Sequence, residues 1–533
     1  MVITDQNQSE ISDANEQNLK ILLGFLTEIS SSMTSSEAKF SPWVAGALSI
    51  NYIIGSGFLL LPWVFSQVGV VLALTIFALT AIFSFASVSF IVNSTYLAHE
   101  LSDKLLPSIS SGNLMDRIQP SSSSSASVGI GIGRRSEYGS IESGQPVSQD
   151  KCDINNQLAM VEMTDLCDFY LGNPGKVVYL LQLCLFLYGS LWAYAGVFAV
   201  TLSSIHSPVV YIPFLGVYRL SYYVCLLMFS SIAVPLSILN LSEQVSMQVV
   251  MTACRFLMFL LMISTVMHAA LLDIEEFTDS PHSTQMTSLG SGFNYSKLYL
   301  VLPIAAYANI FHHAVPSLSD LLQDQKYILP TFAGTVFVCF AFYILVGIIL
   351  SSYFGSNTQM TVNLNWSSYV GFSSQEETVP MYALIISKFV VLFPALDVIS
   401  AFPLNAVALG NNLYSYFYHG SNLHRVTASE KYDVFVRRLF RLVAAIPPII
   451  GAACVTDLSV ITDYTGVTGF GVAFVVPALL MLSAERKCRE RFGRTLSTPY
   501  SHVLTGSGMQ YAVLAIGLFL IVYVLASLLA KDT

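Results

Sequence analysis

The stretch NYIIGSGFLLLPWVF, residues 51–65, lies inside an apolar run long enough to cross a bilayer, yet it carries Asn51 and then Gly55-Ser56-Gly57. In hydrocarbon, backbone groups freed by a break in a helix find no water. They are tolerated only where they are buried in protein or line a cavity. A glycine kink that lets two helices pack closely is the plainer account. A second interrupted run weighs against it, because residues 297–317 carry Pro303 and Pro316. Paired broken helices at corresponding places in two halves of a chain point to a binding site near the middle of the membrane.

The composition sets the frame for that pair. The chain has 533 residues, 54% hydrophobic and 11% charged, with a mean hydropathy of +0.63. Soluble domains carry roughly 25% charged residues, so the chain reads as a polytopic membrane protein. Apolar runs of about 20 residues fall at 43–66, 70–97, 176–204, 219–240, 247–272, 297–317, 328–353, 380–408, 437–456, 459–482 and 508–530. The expected fold is all-α with eleven transmembrane helices. With the first and sixth broken, ten of them divide into two halves of five, and an odd number inverts the second half relative to the first.

Three segments lie outside the spans. Residues 1–42 form a polar N-terminal segment in which LKILLGFLTEI, 19–29, has the spacing of a short amphipathic helix at the interface. Residues 99–175 are rich in Ser and Gly and read as a mostly disordered loop. The end of that loop, VEMTDLCDFYL, reads as a helix docked at the membrane surface. Residues 531–533 are a short tail.

Lys and Arg give the orientation. With the N-terminus in the cytosol, 19 of the 24 basic residues fall on the cytosolic side, four on the other, and Arg255 lies inside a span. Two sequons, at Asn294 and Asn365, fall in the outer loops, where glycosylation reaches them. No cysteine lies in an outer loop and none has CxxC spacing, so neither a structural disulfide nor a metal site is expected.

Several stretches resemble the amino acid/auxin permease family of the amino acid–polyamine–organocation superfamily. They are NYIIGSGFLLLPWVF, LFLYGSLWAYAGVF (185–198), NIFHHAVPSL (309–318), LFPALDVISAFPLNAVALGNN (392–412), IPPIIGAACVTDL and VTGFGVAFVVPA. The resemblance covers nearly all the chain outside residues 1–40 and 100–155. It implies the inverted-repeat architecture called the LeuT fold, and transport of amino acids driven by protons or sodium. It also implies that span 8 and the break in span 1 build a cation site. Relatives often place a hydroxyl residue near the position of Asp397, so the carboxylate is a departure.

Asp397 is the sharpest single signal, since an ionisable residue within a span is costly and marks function by default. It has two chemistries open to it. It binds sodium, with Ser400 one turn on and carbonyls near Ile53 and Ile54, or it carries a proton. Arg255 in span 5 lies at similar depth, counted at 1.5 Å per residue, and is the candidate partner; as a permanent cation paired with Asp397 it would make sodium unnecessary. The alternative is an Arg255 that snorkels to the interface. His312 and His313 follow the break in span 6 and suit a proton relay. Tyr188, with Trp192 and Tyr194, is a candidate for the substrate path. Asp463 is a candidate for an outer gate, and Asp457 reads as a solvated loop charge.

The function expected is that of a secondary active transporter, a proton-coupled amino acid symporter, with a sodium-coupled transporter and a transporter-fold amino acid sensor as rivals. In this scheme the backbone at Gly55, Ser56 and Gly57 holds the substrate carboxylate, and the carbonyls around Ala306–Phe311, with Asn309 among them, hold its amino group. Asn51, Asp397, Ser400, Arg255 and His313 form the ion-coupling set. No HExxH motif, nucleophile elbow or paired carboxylates signal an enzyme. No cofactor and no nucleic-acid partner are expected, only the bilayer, the substrate, and a sorting or signalling partner at the 99–175 loop. There Tyr138-Gly-Ser-Ile141 fits a tyrosine-based sorting signal, which leaves endolysosomal, vacuolar and plasma membranes open.

Overall fold

The computed structural model describes residues 39–115, 162–203, 210–212, 216–218, 220–272, 277, 294–371, 379–418, 430–455 and 465–532. The interfacial helix at 19–29, the Tyr138 motif, Asp457 and Asp463 lie outside the described residues. The described chain is mostly helical. Eight helices are long and apolar enough to cross a membrane, or nine if the bent pair around Gly55 is one span. Large apolar side chains such as Leu181, Leu260, Phe337 and Phe519 point out of the bundle. A soluble protein would not leave that many uncovered, but a lipid-facing belt requires them.

The elements follow the sequence closely at the breaks. Helix α1 (Pro42–Ile53) has proline at its first position, where a missing N–H costs nothing. It stops at Ile54, and a 3-10 turn (Ser56–Leu60) leads into α2 (Leu61–Val68). The two pieces meet at 54°. Helix α3 (Val70–Met115) returns, α4 (Met163–Ser203) follows, and a two-stranded antiparallel hairpin, β1 (Val210–Ile212) with β2 (Gly216–Tyr218), precedes α5 (Leu220–Ile238) and α6 (Leu241–Leu272). Helix α7 (Leu298–Tyr307) ends at Ala308, and after a 3-10 turn at His312–Ala314 the chain resumes as α8 (Val315–Asp320). Then come α9 (Ile328–Phe354), α10 (Met381–Tyr418), α11 (Glu430–Cys454), α12 (Thr465–Phe492, with a π-helical turn at Gly471–Val475) and α13 (Ser507–Asp532).

Contacts sort the helix ends into two faces. On one, Phe40 pairs with Leu321 and Gln323, Tyr500 reaches Gln325, and Arg441 reaches the α5–α6 turn. This face carries most of the basic residues and is called the basic face below. On the other, Asn294 donates its backbone N–H to Val68, Lys297 binds Gln67, and Phe277 pairs with Tyr369.

One expectation is corrected. The 99–175 segment is not loop throughout: α3 continues to Met115 and α4 begins at Met163, bending at Gly172, whose φ of 71° suits glycine, ahead of Pro174. Hydropathy ends a span where the bilayer ends, whereas helices run on past it. The start of α4 is fastened to the bundle itself. Thr164 donates from its backbone N–H (3.2 Å) and its hydroxyl (2.6 Å) to Asn412 Oδ1, and Tyr170 donates to the Ser94 carbonyl (2.8 Å), with Leu166 and Cys167 buried in the bundle.

Candidate functional site

Below the α1–α2 break lies a buried polar cluster built from three helices. Asn51 is the hub. Its Nδ2 donates to the carbonyl (2.8 Å) and to Oε1 (2.9 Å) of Gln248, and its Oδ1 accepts from Arg255 Nη1 and from the Thr252 hydroxyl at 2.9 Å. Arg255 Nη2 donates to Asp397 Oδ1, and both side chains are buried. Gln248 Nε2 in turn donates to the Ser400 carbonyl at 2.9 Å. The guanidinium is a planar fork of donors that meets a carboxylate and an amide oxygen side by side. Taken out of water, it persists because a carboxylate and an amide oxygen meet it. Its Nε has no partner.

Above the cluster the two breaks enclose a small cavity of about 10 Å³, lined by Tyr52, Gly55, Ser190, Tyr194, Tyr307, Ile310, His313 and Asn405 among others. That is roughly the room of one water. The lining is polar but uncharged. The Tyr307 hydroxyl lies against those of Tyr194 and Ser190. His313 is buried, with the Tyr52 ring edge-on at 5.7 Å and the Asn405 side chain as its polar neighbour. Glycine is needed at this approach. A Cβ on Gly55 would lie 2.5 Å from the Tyr194 hydroxyl oxygen, and one on Gly57 would lie 2.9 Å from the Tyr307 ring. Tyr343 on α9 ties the two breaks together: its hydroxyl donates to the Ala308 carbonyl (2.9 Å) and lies 3.3 Å from that of Ile53.

The expected site residues therefore divide. Asn51, Arg255 and Asp397 come together, and Gly55 and His313 line the cavity, with Ser56 and Gly57 in the turn beside it. Tyr194 apart, the structure places the other candidates away from the cavity. Tyr188 faces α11, donating to the Val443 carbonyl (2.9 Å), and Trp192 likewise donates to Val455 (3.1 Å). The cavity-facing stripe of α4 is Phe186, Ser190 and Tyr194, one helical turn apart. Ser400 turns its hydroxyl onto its own helix, donating to the Asp397 backbone carbonyl (2.9 Å). Asn309 is buried behind the break, its Nδ2 on the Ala305 carbonyl (2.8 Å) and its own carbonyl taken by Ser84 (3.0 Å). Ala306 is buried too, and its carbonyl accepts the Asn309 N–H (2.9 Å). His312 is held apart from the cavity with Nε2 3.2 Å from the Ser84 carbonyl.

At the outer sequons, Asn294 holds its Oδ1 toward the Ser296 hydroxyl (2.6 Å) near the surface. Asn365 is a correction: it is buried, with Nδ2 committed to the Asn357 carbonyl (3.1 Å) and Oδ1 to the Gln359 N–H (3.0 Å).

Comparison with known proteins comes last. No family model matches the chain. It is 25% identical over 486 residues to a transmembrane protein 104 homolog of Drosophila melanogaster, covering 85% of this chain and 90% of that one. Human transmembrane protein 104 is 21% identical over 499 residues, covering 88% and 93%, and the Dictyostelium discoideum homolog is 23% identical over 486 residues, covering 86% and 91%. Among solved structures, the chain aligns with a Na+-coupled sialic acid symporter in a substrate-bound outward-open state, with a TM-score of 0.45 and 12% identity, over 94% of this chain and 98% of that one. The relatives' names and the apolar helices agree that this is a multi-pass membrane protein. None of those names is that of the amino acid/auxin permease family.

Proposed function

We propose that the chain is a secondary active transporter of small amino acids, coupled to protons, with the eleven-span inverted-repeat architecture and the basic face in the cytosol. The observation that carries this is the meeting of two broken helices around one enclosed, uncharged polar cavity. Backbone interrupted at that depth is stabilised only by protein or by a ligand. The backbone at Gly55–Gly57 holds the substrate carboxylate, and the hydroxyls of Ser190, Tyr194 and Tyr307 face the rest of it. A cavity of about 10 Å³ is an occluded form. Entry requires the Tyr194 and Tyr307 side chains to part.

Arg255 supports proton over sodium coupling. A fixed guanidinium beside the α1 break, paired with Asp397 and Asn51, leaves no vacancy there for a second cation. With Asp397 committed to Arg255, the imidazole left at the cavity to take up a proton is His313, which among the described residues is in no ion pair and has the Asn405 side chain as its polar neighbour. Uptake of a labelled amino acid mixture into proteoliposomes tests this under separate pH and sodium gradients. Proton-driven uptake is expected, lost in His313→Gln and reduced at least tenfold in Asp397→Asn. Uptake that follows sodium alone would replace the coupling ion. No uptake from folded protein, with ligand-dependent capture of a partner, would make the chain a sensor.

A further inference from the structure

Glu162, immediately ahead of α4 at the basic face, is a buried carboxylate served only by neutral donors. Its Oε2 accepts from the Ser317 hydroxyl on α8 (3.4 Å) and from Asn412 Nδ2 on α10 (3.3 Å), and the Asn411 side chain also bonds it. Its own N–H donates to Asp165 Oδ2 at 3.1 Å, which sets a second carboxylate beside the first. Among the described residues no ion pair reaches it. The charged and titratable groups around it are few. Asp165 and Tyr179 face it from α4 and Tyr52 from α1. Arg437 and Arg441 act on it from α11. Arg441 is held off, with Nε and Nη2 on Asn411 Oδ1 (3.4 Å each) and Nη1 on the carbonyls of Ile238 (3.0 Å) and Leu239 (3.1 Å). From α8 only Ser317 faces it.

An anion in that place is taken out of water with no cation bonded to it among the described residues, which disfavours the charged form. Two changes relieve it: the carboxylate binds a proton, or the end of α8 moves away from α10 and admits water. We propose that Glu162 is a second proton-binding site, outside the central cavity, that closes the basic face: neutral Glu162 keeps α8 fastened to α4 and α10, and loss of its proton releases the end of α8. Because Phe40 is bonded to Leu321 and Gln323, the start of α1 moves with it. Its place in a transport cycle rests on the function proposed above; its geometry does not.

Burial first, and then Asp165, push Glu162 up to about 7, against the hydrogen bonds from Asn411 and Ser317 and the charge of Arg437, which lower it. An opened, solvated Glu162 would give up its proton near the ordinary value of 4.5. Closure is thus unopposed below the lower value, weakens as pH rises between the two, and carries its full penalty above the higher.

Pulsed electron–electron resonance on full-length protein in lipid nanodiscs tests this without any flux. Spin labels go on Asp324→Cys, in the exposed turn after α8, and on Phe417→Cys, at the exposed end of α10, with native cysteines replaced. The wild-type distance distribution should move to longer values between pH 4.5 and 7 and level off above that, the ratio of long to short components changing by up to about tenfold per pH unit. Glu162→Gln, a permanent stand-in for the neutral acid, should stay short throughout. A wild-type distribution flat with pH overturns the site even if the variant does not fold, and so does a full pH response in Glu162→Gln. A pH response with no amino acid uptake keeps the site and removes the transporter.

Discussion

Gly55 is closed to any larger residue by one atom. The Tyr194 hydroxyl oxygen is 2.5 Å from where a Cβ would stand, and the next atom of that ring is 3.4 Å away. Gly55→Ala should therefore lower stability by about 1–3 kcal/mol, the usual cost of overpacking. Tyr194→Phe should remove most of that loss, because it removes the only close atom. Thermal unfolding of the two single variants and the double in nanodiscs reads the coupling; additive losses would place the strain elsewhere. At this scale the sequence was half legible. Asn51, Arg255 and Asp397 stand out because polar atoms are rare in spans. Gln248 and Thr252, which complete the cluster, were missed, although Gln244, Gln248, Thr252 and Arg255 form a polar stripe at helical spacing along α6. Tyr188, Trp192 and Tyr194 stand together as candidates in the sequence, and only Tyr194 faces the cavity, because sequence alone does not say which face of an almost wholly apolar helix turns inward.

At the second break the Tyr343 hydroxyl donates to the Ala308 carbonyl (2.9 Å), and it stands 3.3 Å from the Ile53 carbonyl at the first, which also accepts the Gly55 N–H (3.0 Å). Tyr343→Phe should cost about 1–3 kcal/mol, the penalty for leaving a buried acceptor unmet. It should also speed amide exchange at both breaks, 53–57 and 308–311, together. Exchange that rises at one break alone would mean the two are not coupled through α9. That the elements exist was readable from hydropathy, since apolar runs and their Gly and Pro interruptions mark them directly. Their ends were not. Helices α3, α4, α10 and α12 run past the apolar stretch into polar sequence, where what holds them is hydrogen bonding to neighbours, such as Thr164 to Asn412, rather than lipid. The β1–β2 hairpin was missed for the same reason, falling between two apolar runs.

Over the whole molecule, the basic face and the face bearing Asn294 lie at opposite ends of the bundle, which accords with the charge bias along the chain. If the Asn294 face is the outer one, expression in a glycosylating host should give a product whose mobility shift is abolished by Asn294→Gln and unchanged by Asn365→Gln. Digestion with an endoglycosidase reads both, and a shift that depends on Asn365 would require the 355–368 turn to open. That the basic residues gather at one end was legible in the distribution of Lys and Arg; the burial of Asn365 was not, because a sequon carries no record of what folds over it. The Phe40 bridge couples the start of the chain to this end of the bundle. Residues 39–41 run alongside 321–323, bonded by Phe40 N–H to the Leu321 carbonyl (2.6 Å) and by the Gln323 N–H to the Phe40 carbonyl (3.0 Å). The start of the first broken helix and the end of the second are therefore clasped edge to edge at the basic face, and a displacement of either half-helix carries the other with it.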